Sequence, residues 1–285
     1  MKRLIIQTVI FALFPFIGYS QHELSVYGGG GLSGLHYKAT AGHPKSGFGA
    51  QFGLGYRFFF SSELGAGVNI GISQYKTNFH AENINFACRA TDFEGVEFDF
   101  RSSVGGYEEK QEVAFLQIPL VLQYHTGNYY VAGGVKAGIP LGGKYGSTAA
   151  TLKSSGYYIE ENHEYTSPKF MGFGTFSDID SKGDLDFKTA FSITLESGLN
   201  IKLDGNLSLY VGVYFDYGLN STIDKTSSLQ FVEYNTESPT DFALNSVASS
   251  QYAQNKQFAE KISPVAFGVK ASLALGIGNS WRTRR

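Results

Sequence analysis

Phe187-Lys188-Thr189-Ala190-Phe191-Ser192-Ile193-Thr194-Leu195-Glu196-Ser197-Gly198-Leu199-Asn200-Ile201-Lys202-Leu203 sorts its residues onto two faces with a period of two. One face reads Phe187, Thr189, Phe191, Ile193, Leu195, Ser197, Leu199, Ile201, Leu203; the other reads Lys188, Ala190, Ser192, Thr194, Glu196, Gly198, Asn200, Lys202. Successive side chains of a strand point to opposite sides, so this run is a strand with an apolar and a polar face. It is long for a soluble sandwich strand and suits a tilted strand that crosses a bilayer.

Seven further segments fit the same template. After the turn Leu203-Asp204-Gly205-Asn206, Leu207, Leu209, Val211, Val213, Phe215, Tyr217 and Leu219 oppose Ser208, Tyr210, Gly212, Tyr214, Asp216 and Gly218. In 265–277, Val265, Phe267, Val269, Ala271, Leu273, Leu275 and Ile277 oppose small residues and Lys270. Segments 48–58, 64–75, 113–125 and 129–140 repeat the alternation with more glycine, and 24–33 carries it in its most diluted form. The connections alternate in scale. Short turns fall at Phe60–Glu63, His125–Asn128 and Leu203–Asn206, and long polar stretches at 33–47, 78–110, 141–186 and 220–262.

No amphipathic helix is available to cover an exposed sheet face. The apolar face therefore needs lipid or a second sheet. In a secreted lipocalin-like barrel or sandwich the apolar face would be the interior, and glycine with Lys and Glu would coat the outside. Length, turn asymmetry and targeting favour lipid. The expectation is an all-β, eight-stranded antiparallel up-and-down transmembrane β-barrel with four long extracellular loops. Ten strands arise if Tyr157-Tyr158-Ile159 and Phe170-Met171-Gly172-Phe173 add a hairpin at membrane depth; extension of existing strands above the membrane is preferred.

The N-terminus reads as a signal peptide over residues 1–20. Lys2 and Arg3 precede an apolar Leu4–Ile17 stretch, and Gly18-Tyr19-Ser20 supplies small residues for cleavage after Ser20. Residues 21–285 then form one barrel domain, expected to be monomeric, in the cell outer membrane with both termini periplasmic. A formal charge of −2 is too mild to steer nucleic acid. The closing Trp281-Arg282-Thr283-Arg284-Arg285 reads as a solvated tail, although it could touch anionic headgroups or peptidoglycan. Cys88 falls in a predicted loop with no flanking His or Lys to activate it.

An eight-stranded interior is just wide enough for side chains to fill. Counted from the nearest turn or chain end, Lys136, Glu196 and Lys270 lie at similar heights, with Arg57 and Lys202 lower and Asp216 higher. Glu196 is expected to pair with Lys136 or Lys270, because an isolated charge there is costly. That network reads as a static plug rather than an ion path.

Catalysis finds no support. Neither Gly-x-Ser-x-Gly nor His-Glu-x-x-His nor a P-loop is present, and His36, His43, His80 and His163 are ordinary loop residues. Asp178-Ile179-Asp180-Ser181-Lys182-Gly183-Asp184-Leu185-Asp186 resembles part of a Ca²⁺ loop, but Lys182 occupies a ligand position and Thr189 stands where a bidentate Glu would close it. A polar turn re-entering the sheet is the preferred reading, so no metal or cofactor is expected. The aromatics Phe79, Phe86, Phe93, Phe98, Phe100, Tyr107, Tyr145, Tyr157, Tyr158 and Tyr165 form either a recognition surface or the self-packing of compact hairpins.

Phe115-Leu116-Gln117-Ile118-Pro119-Leu120-Val121-Leu122-Gln123-Tyr124, then Tyr130-Val131-Ala132-Gly133-Gly134-Val135-Lys136-Ala137-Gly138-Ile139-Pro140-Leu141, resembles a hairpin of Bacteroidetes-type OmpA-like outer-membrane β-barrel domains. Leu195-Glu196-Ser197-Gly198 and Tyr210–Asn220 are similar to a later hairpin of that group, so the resemblance covers roughly 110–280. It implies an eight-stranded barrel with a structural or surface-interaction role and no catalytic residues. Many such barrels continue into a peptidoglycan-holding domain, whereas this sequence stops at Arg285, which speaks against direct cell-wall tethering. A secretion-associated family shares the Ile-Pro-Leu hairpin in looser form. Partners are thus expected to be membrane lipid and, through the loops, an extracellular ligand or envelope protein. The alternatives are an accessory subunit of a secretion complex and a small channel.

Overall fold

A computed structural model describes residues 21–203, 205–223, 229–253 and 256–277. The signal peptide reading and the arginine tail fall outside the described residues. The strands are β1 (Gln21–Ala39), β2 (His43–Phe59), β3 (Leu64–Thr91), β4 (Glu97–Thr126), β5 (Tyr129–Tyr158), β6 (His163–Tyr165), β7 (Gly174–Asp184), β8 (Ala190–Lys202), β9 (Leu207–Gly218), β10 (Val232–Glu233), β11 (Ala243–Leu244), β12 (Gln251–Ala253), β13 (Lys256–Gln257) and β14 (Ala259–Ile277). Eight of them close a ring in the order β1-β2-β3-β4-β5-β8-β9-β14, with β14 returning to β1 and every pairing antiparallel.

Closure follows from backbone chemistry. No water at membrane depth can satisfy an edge N–H or C=O, so the sheet must have no edge there. His22 opposite Ile277 and Gln21 opposite Phe59 bring both described chain ends to the end that carries the tight turns. At two of those turns Gly127 (φ 59°) and Gly205 (φ 56°) take the left-handed conformation, which costs glycine least. Eight strands, not ten, cross the band. Tyr157 and Tyr158 continue β5 beyond it, and Phe170 lies in a short 3₁₀ turn.

The far end departs most from the sequence expectation. Stretches 33–47, 78–110 and 141–186 read as loops, but most of each is strand, as β3, β4 and β5 run on well past the band. The physical reason is an inversion of the two faces. On β3 the outward residues Leu64, Ala66, Val68, Ile70 and Ile72 give way to Gln74, Lys76, Asn78 and His80, while the inward Gly71 and Ser73 give way to Tyr75, Phe79 and Ala81. β4 switches between Glu112 and Ala114 on its outer face. Below the switch the exterior is oil and the interior polar; above it the exterior is water and the interior apolar. The alternation never stops, but its polarity changes sign, so a search for one apolar face ends at the switch.

Beyond the band β6 and β7 pair with the upper half of β5 and widen the sheet. The described residues of 220–258 fold into the mouth as a cap containing the small pairs β10–β11 and β12–β13. Phe231, Val232, Leu244, Val247 and Phe258 of the cap are fully or nearly fully buried against Phe79, Phe86, Phe98, Phe100, Tyr107 and Phe115 of the strands. This region, called the head below, has the core of a water-soluble β-protein. Most of the sequence aromatics therefore self-pack; Tyr157 lies on the outer face under Arg101, and Phe93 stands out at 63 % exposure.

The face switch fixes where a charge is tolerated. Leu120→Arg, in the lipid-facing band, should cost about 2–4 kcal/mol and lower refolding into bilayers. His80→Arg, on an outer face above the switch and opposite Glu108, should leave refolding and urea midpoint unchanged.

Candidate functional site

The lumen carries the charged side chains that the sequence singled out. Lys270 on β14 sits opposite Gly29 of β1 and Gly212 of β9. With no side chain at Gly212, its amine reaches past β9 to Glu196 on β8, Nζ to Oε2 at 2.6 Å. Tyr130 of β5 donates its hydroxyl to the other oxygen of Glu196 at 2.6 Å. Lys136 of β5 does not join them. It crosses β8 to Asp216 of β9, Nζ to Oδ2 at 2.6 Å, with both side chains buried.

Arg57 sits one level nearer the tight turns. It faces its direct cross-strand neighbour Glu23 at 3.7 Å, donates to Ser272 Oγ at 3.2 Å, and lies 4.0 Å over the Tyr210 ring. Tyr210 in turn donates its hydroxyl to Glu23 at 3.0 Å. Near the end of the barrel, His125 contacts the rings of Phe59, Tyr130 and Tyr210. The lumen thus holds three stacked charge pairs, two of them closed by aromatic hydroxyls, Tyr130 on Glu196 and Tyr210 on Glu23. Between them remain two cavities of about 20 Å³ each, near the size one water needs.

Sequence reasoning missed Glu23 and misjudged Asp216. Glu23 lies in the glycine-diluted first strand, within two residues of its start. A count along the strand places Asp216 higher than Lys136, yet the two are in contact, because strands on a barrel are staggered as well as inclined.

A second buried polar cluster joins cap to wall inside the head. Glu109 of β4 is 1 % exposed amid aromatic rings. It accepts hydrogen bonds from Tyr107 Oη, Gln111 Nε2 at 2.7 Å, Ser246 Oγ and the backbone N–H of Val247 at 3.0 Å. Burial pushes its carboxyl above the usual 4.5, and these four donors oppose that shift. Two of the donors belong to the cap, so Glu109 tethers it to the wall.

Two sequence readings need correction here. Residues 178–184 are not a turn but part of β7, in which Ile179 to Asp184 pair residue by residue with Ala149 to Lys144 of β5. Asp180 and Asp184 stand on the exposed face of the extended strand, and Asp178, at φ 55°, sits at an irregularity before them, so the three are strung along the sheet instead of wrapping round a cation. Among the described residues no group of three His, Cys, Asp or Glu is placed to hold a metal ion. Cys88 lies in β3 rather than a loop, and burial pushes its thiol up to about 11, with Asp99 adding to the rise.

These features define an outer-membrane β-barrel with a filled lumen and a folded head. An outer membrane protein β-barrel domain model matches residues 19–224, and the chain belongs to that family. No curated protein matches it significantly. Solved structures similar to it include a major outer membrane protein from Thermus thermophilus (14 % identity, TM-score 0.38, 90 % of this chain and 99 % of that one). Neisserial surface protein A is similar at 8 % identity and TM-score 0.33, covering 90 % and 98 %. The outer membrane protease OmpT from Escherichia coli is similar at 11 % identity and TM-score 0.34, covering 90 % and 96 %. Identities this low pass none of those proteins' activities to this chain.

Glu196→Gln should leave Lys270 without its counter-charge and destabilise the barrel by about 3–5 kcal/mol. Urea unfolding followed by heat-modifiable gel migration should show a lower midpoint, and Glu196→Gln with Lys270→Met should recover most of it. Glu109→Ala should strand its buried donors at a cost of about 1–3 kcal/mol. The expected readout is faster proteolysis within 220–258 while the membrane band stays protected. Because the folded-state value of Glu109 is raised, wild-type cap protection should weaken as pH climbs from about 4.5 through that raised value, and Glu109→Ala should lose this dependence.

Proposed function

We propose that the protein is a closed, non-enzymatic outer-membrane barrel that acts through its head as a surface-interaction protein. In this reading the tight turns and both chain ends face the periplasm and the head stands outside the cell. The observation that carries it is the head's own aromatic core, capped by 220–258 and tethered at Glu109. Connections that only joined strands would not need a core of their own, and long ordered connections generally have a role.

The placement is supported by the asymmetry of the connections, since outer-membrane barrels keep short turns on the periplasmic side. A passive channel is disfavoured by the lumen. Lys136, Asp216, Glu196, Lys270, Arg57 and Glu23 lie across it in pairs, and the cavities beside them are of about 20 Å³ each. Paired ions desolvated in a narrow space are expensive to separate, so they do not open readily for a passing ion.

Purified protein in planar bilayers should give no reproducible unitary conductance. A homogeneous open level would sink the closed-barrel reading. Intact cells expressing Glu160→Cys in a Cys88→Ala background should react with a membrane-impermeant maleimide. Reaction only after the outer membrane is breached would reverse the orientation.

A further inference from the structure

The outer faces of the head strands are polar, so among the described residues large apolar side chains exposed above the band are few. They are Phe93 at 63 %, Val96 at 37 %, Ile159 at 46 %, Phe170 at 72 % and Leu229 at 45 %. All but Leu229 sit at the tip: Phe93 and Val96 in the β3–β4 turn, Ile159 in the β5–β6 turn, and Phe170 in the 3₁₀ turn Lys169–Met171. These elements are packed on one another. Tyr158 donates its hydroxyl to Asp92 at 2.9 Å, Phe98 stacks on Tyr158 and meets Phe173 edge-on, and Ser154 donates to the carbonyl of Gly172.

The turn does not need its aromatic. Asp92 Oδ1 accepts the N–H groups of Glu94 and Val96 at 3.0 and 2.9 Å, which specifies the turn whatever side chain stands at 93. An aromatic held in water at a turn fixed by other groups is a surface waiting for cover.

The charge around it says what kind of cover. Glu94, Glu160 and Glu161 share the two turns. Beside them the cap forms an open cavity of about 480 Å³ whose lining includes Glu233, Glu237 and Asp241. That segment is fixed to the tip, because Thr236 donates to the carbonyl of Thr91 at 2.9 Å and Tyr234 to that of Met171 at 3.1 Å. Among the described residues none of these six carboxylates is in a salt bridge with a cation. Arg89 and Arg101, the nearby arginines, already face Glu97, Asp99 and Glu164.

We propose that the tip is a docking surface for a cationic, amphipathic polypeptide segment of another protein. Its apolar side chains cover Phe93 and Phe170, and a Lys or Arg enters the cavity lined by Glu233, Glu237 and Asp241. A second copy of this chain would bring the same carboxylates face to face. An anionic glycan or lipid headgroup would meet the same repulsion. A basic partner is drawn in by the field and held by the aromatics, since charges at a rim act mainly on encounter and buried aromatics on residence. The inference rests on the reading that the head faces outside the cell.

The test uses the whole protein in nanodiscs and three probes: a Lys/Leu amphipathic peptide, its Glu/Leu counterpart and a sulfated oligosaccharide. Fluorescence anisotropy should show binding of the Lys/Leu peptide alone, weakening as salt rises. Phe93→Ser with Phe170→Ser should weaken it about tenfold or more. Glu237→Gln with Asp241→Asn, which keeps side-chain size, should weaken it several-fold and flatten the salt dependence. Heat-modifiable migration confirms the barrel in each variant. Equal affinity of wild type and both double variants would overturn the proposal, as would tighter binding of the sulfated oligosaccharide or tip-to-tip self-association. A tip that the impermeant maleimide reaches on intact cells but that binds no Lys/Leu peptide refutes this inference alone. A tip that the maleimide cannot reach refutes the orientation beneath it.

Discussion

Everything in this molecule depends on the absence of water at membrane depth. A backbone N–H or C=O exposed there costs several kcal/mol, so the sheet has to close on itself. Closure at eight strands makes the interior narrow, and a narrow interior must be filled. Lining it with apolar side chains would have given the strands two apolar faces. Lining it with polar ones brings charges into a low-dielectric space, where they must be paired. Lys270 with Glu196, Lys136 with Asp216 and Arg57 with Glu23 are the outcome of that chain of constraints. The glycines at 29 and 212 belong to it as well, since they give the Lys270 side chain the room to reach its partner.

The same logic, applied where water returns, produces the head. Once β3 passes Ser73 and β4 rises past Ala114, the exterior is aqueous and the favourable place for apolar groups moves inside. The strands then continue with their faces exchanged, and the cap supplies what a short barrel cannot, a lid of Phe231, Leu244, Val247 and Phe258 over the open end. Glu109 is the polar exception within this core. Its four donors keep the buried carboxylate satisfied, and two of them come from the cap, so the cost of burying it is offset only while the cap is in place.

This division explains which parts were legible in the sequence. Period-two runs such as 187–203 and 207–219 identified β8 and β9 with the correct faces from Ala190 onward, because burial in lipid and exposure to a polar lumen select residues as strictly as a core does; Phe187, read as lipid-facing, lies ahead of the strand and packs against Phe115 and the head core instead. The pairing of Glu196 was open between two lysines. Choosing between them needs the tilt and stagger of the strands, which a count along one strand does not contain. Arg57 with Glu23 was out of reach because Glu23 stands at the edge of a glycine-rich strand whose pattern is thin. The long stretches read as loops because their apolar positions had moved to the other parity. Phe79 and Tyr107 obey the alternation as well as Ile72 and Leu116 do, but on the opposite face. The run 178–186 was compared with a cation loop on aspartate spacing alone, and alternate aspartates are also what the wet face of an edge strand looks like.

The inversion also changes what an exposed aromatic means in this protein. Within the band, Phe48, Phe52 and Phe267 are exposed because lipid covers them, and their exposure carries no message about partners. Above the switch the outer faces are polar with few exceptions, so Phe93 and Phe170 stand against a background that makes them informative. Their turns are held by Asp92 and by packing beneath, which leaves their rings without a structural task. Head rigidity then matters for recognition. A surface carried on extended strands and a tethered cap loses little conformational freedom on binding, so the free energy of covering two rings is spent on affinity rather than on ordering the site.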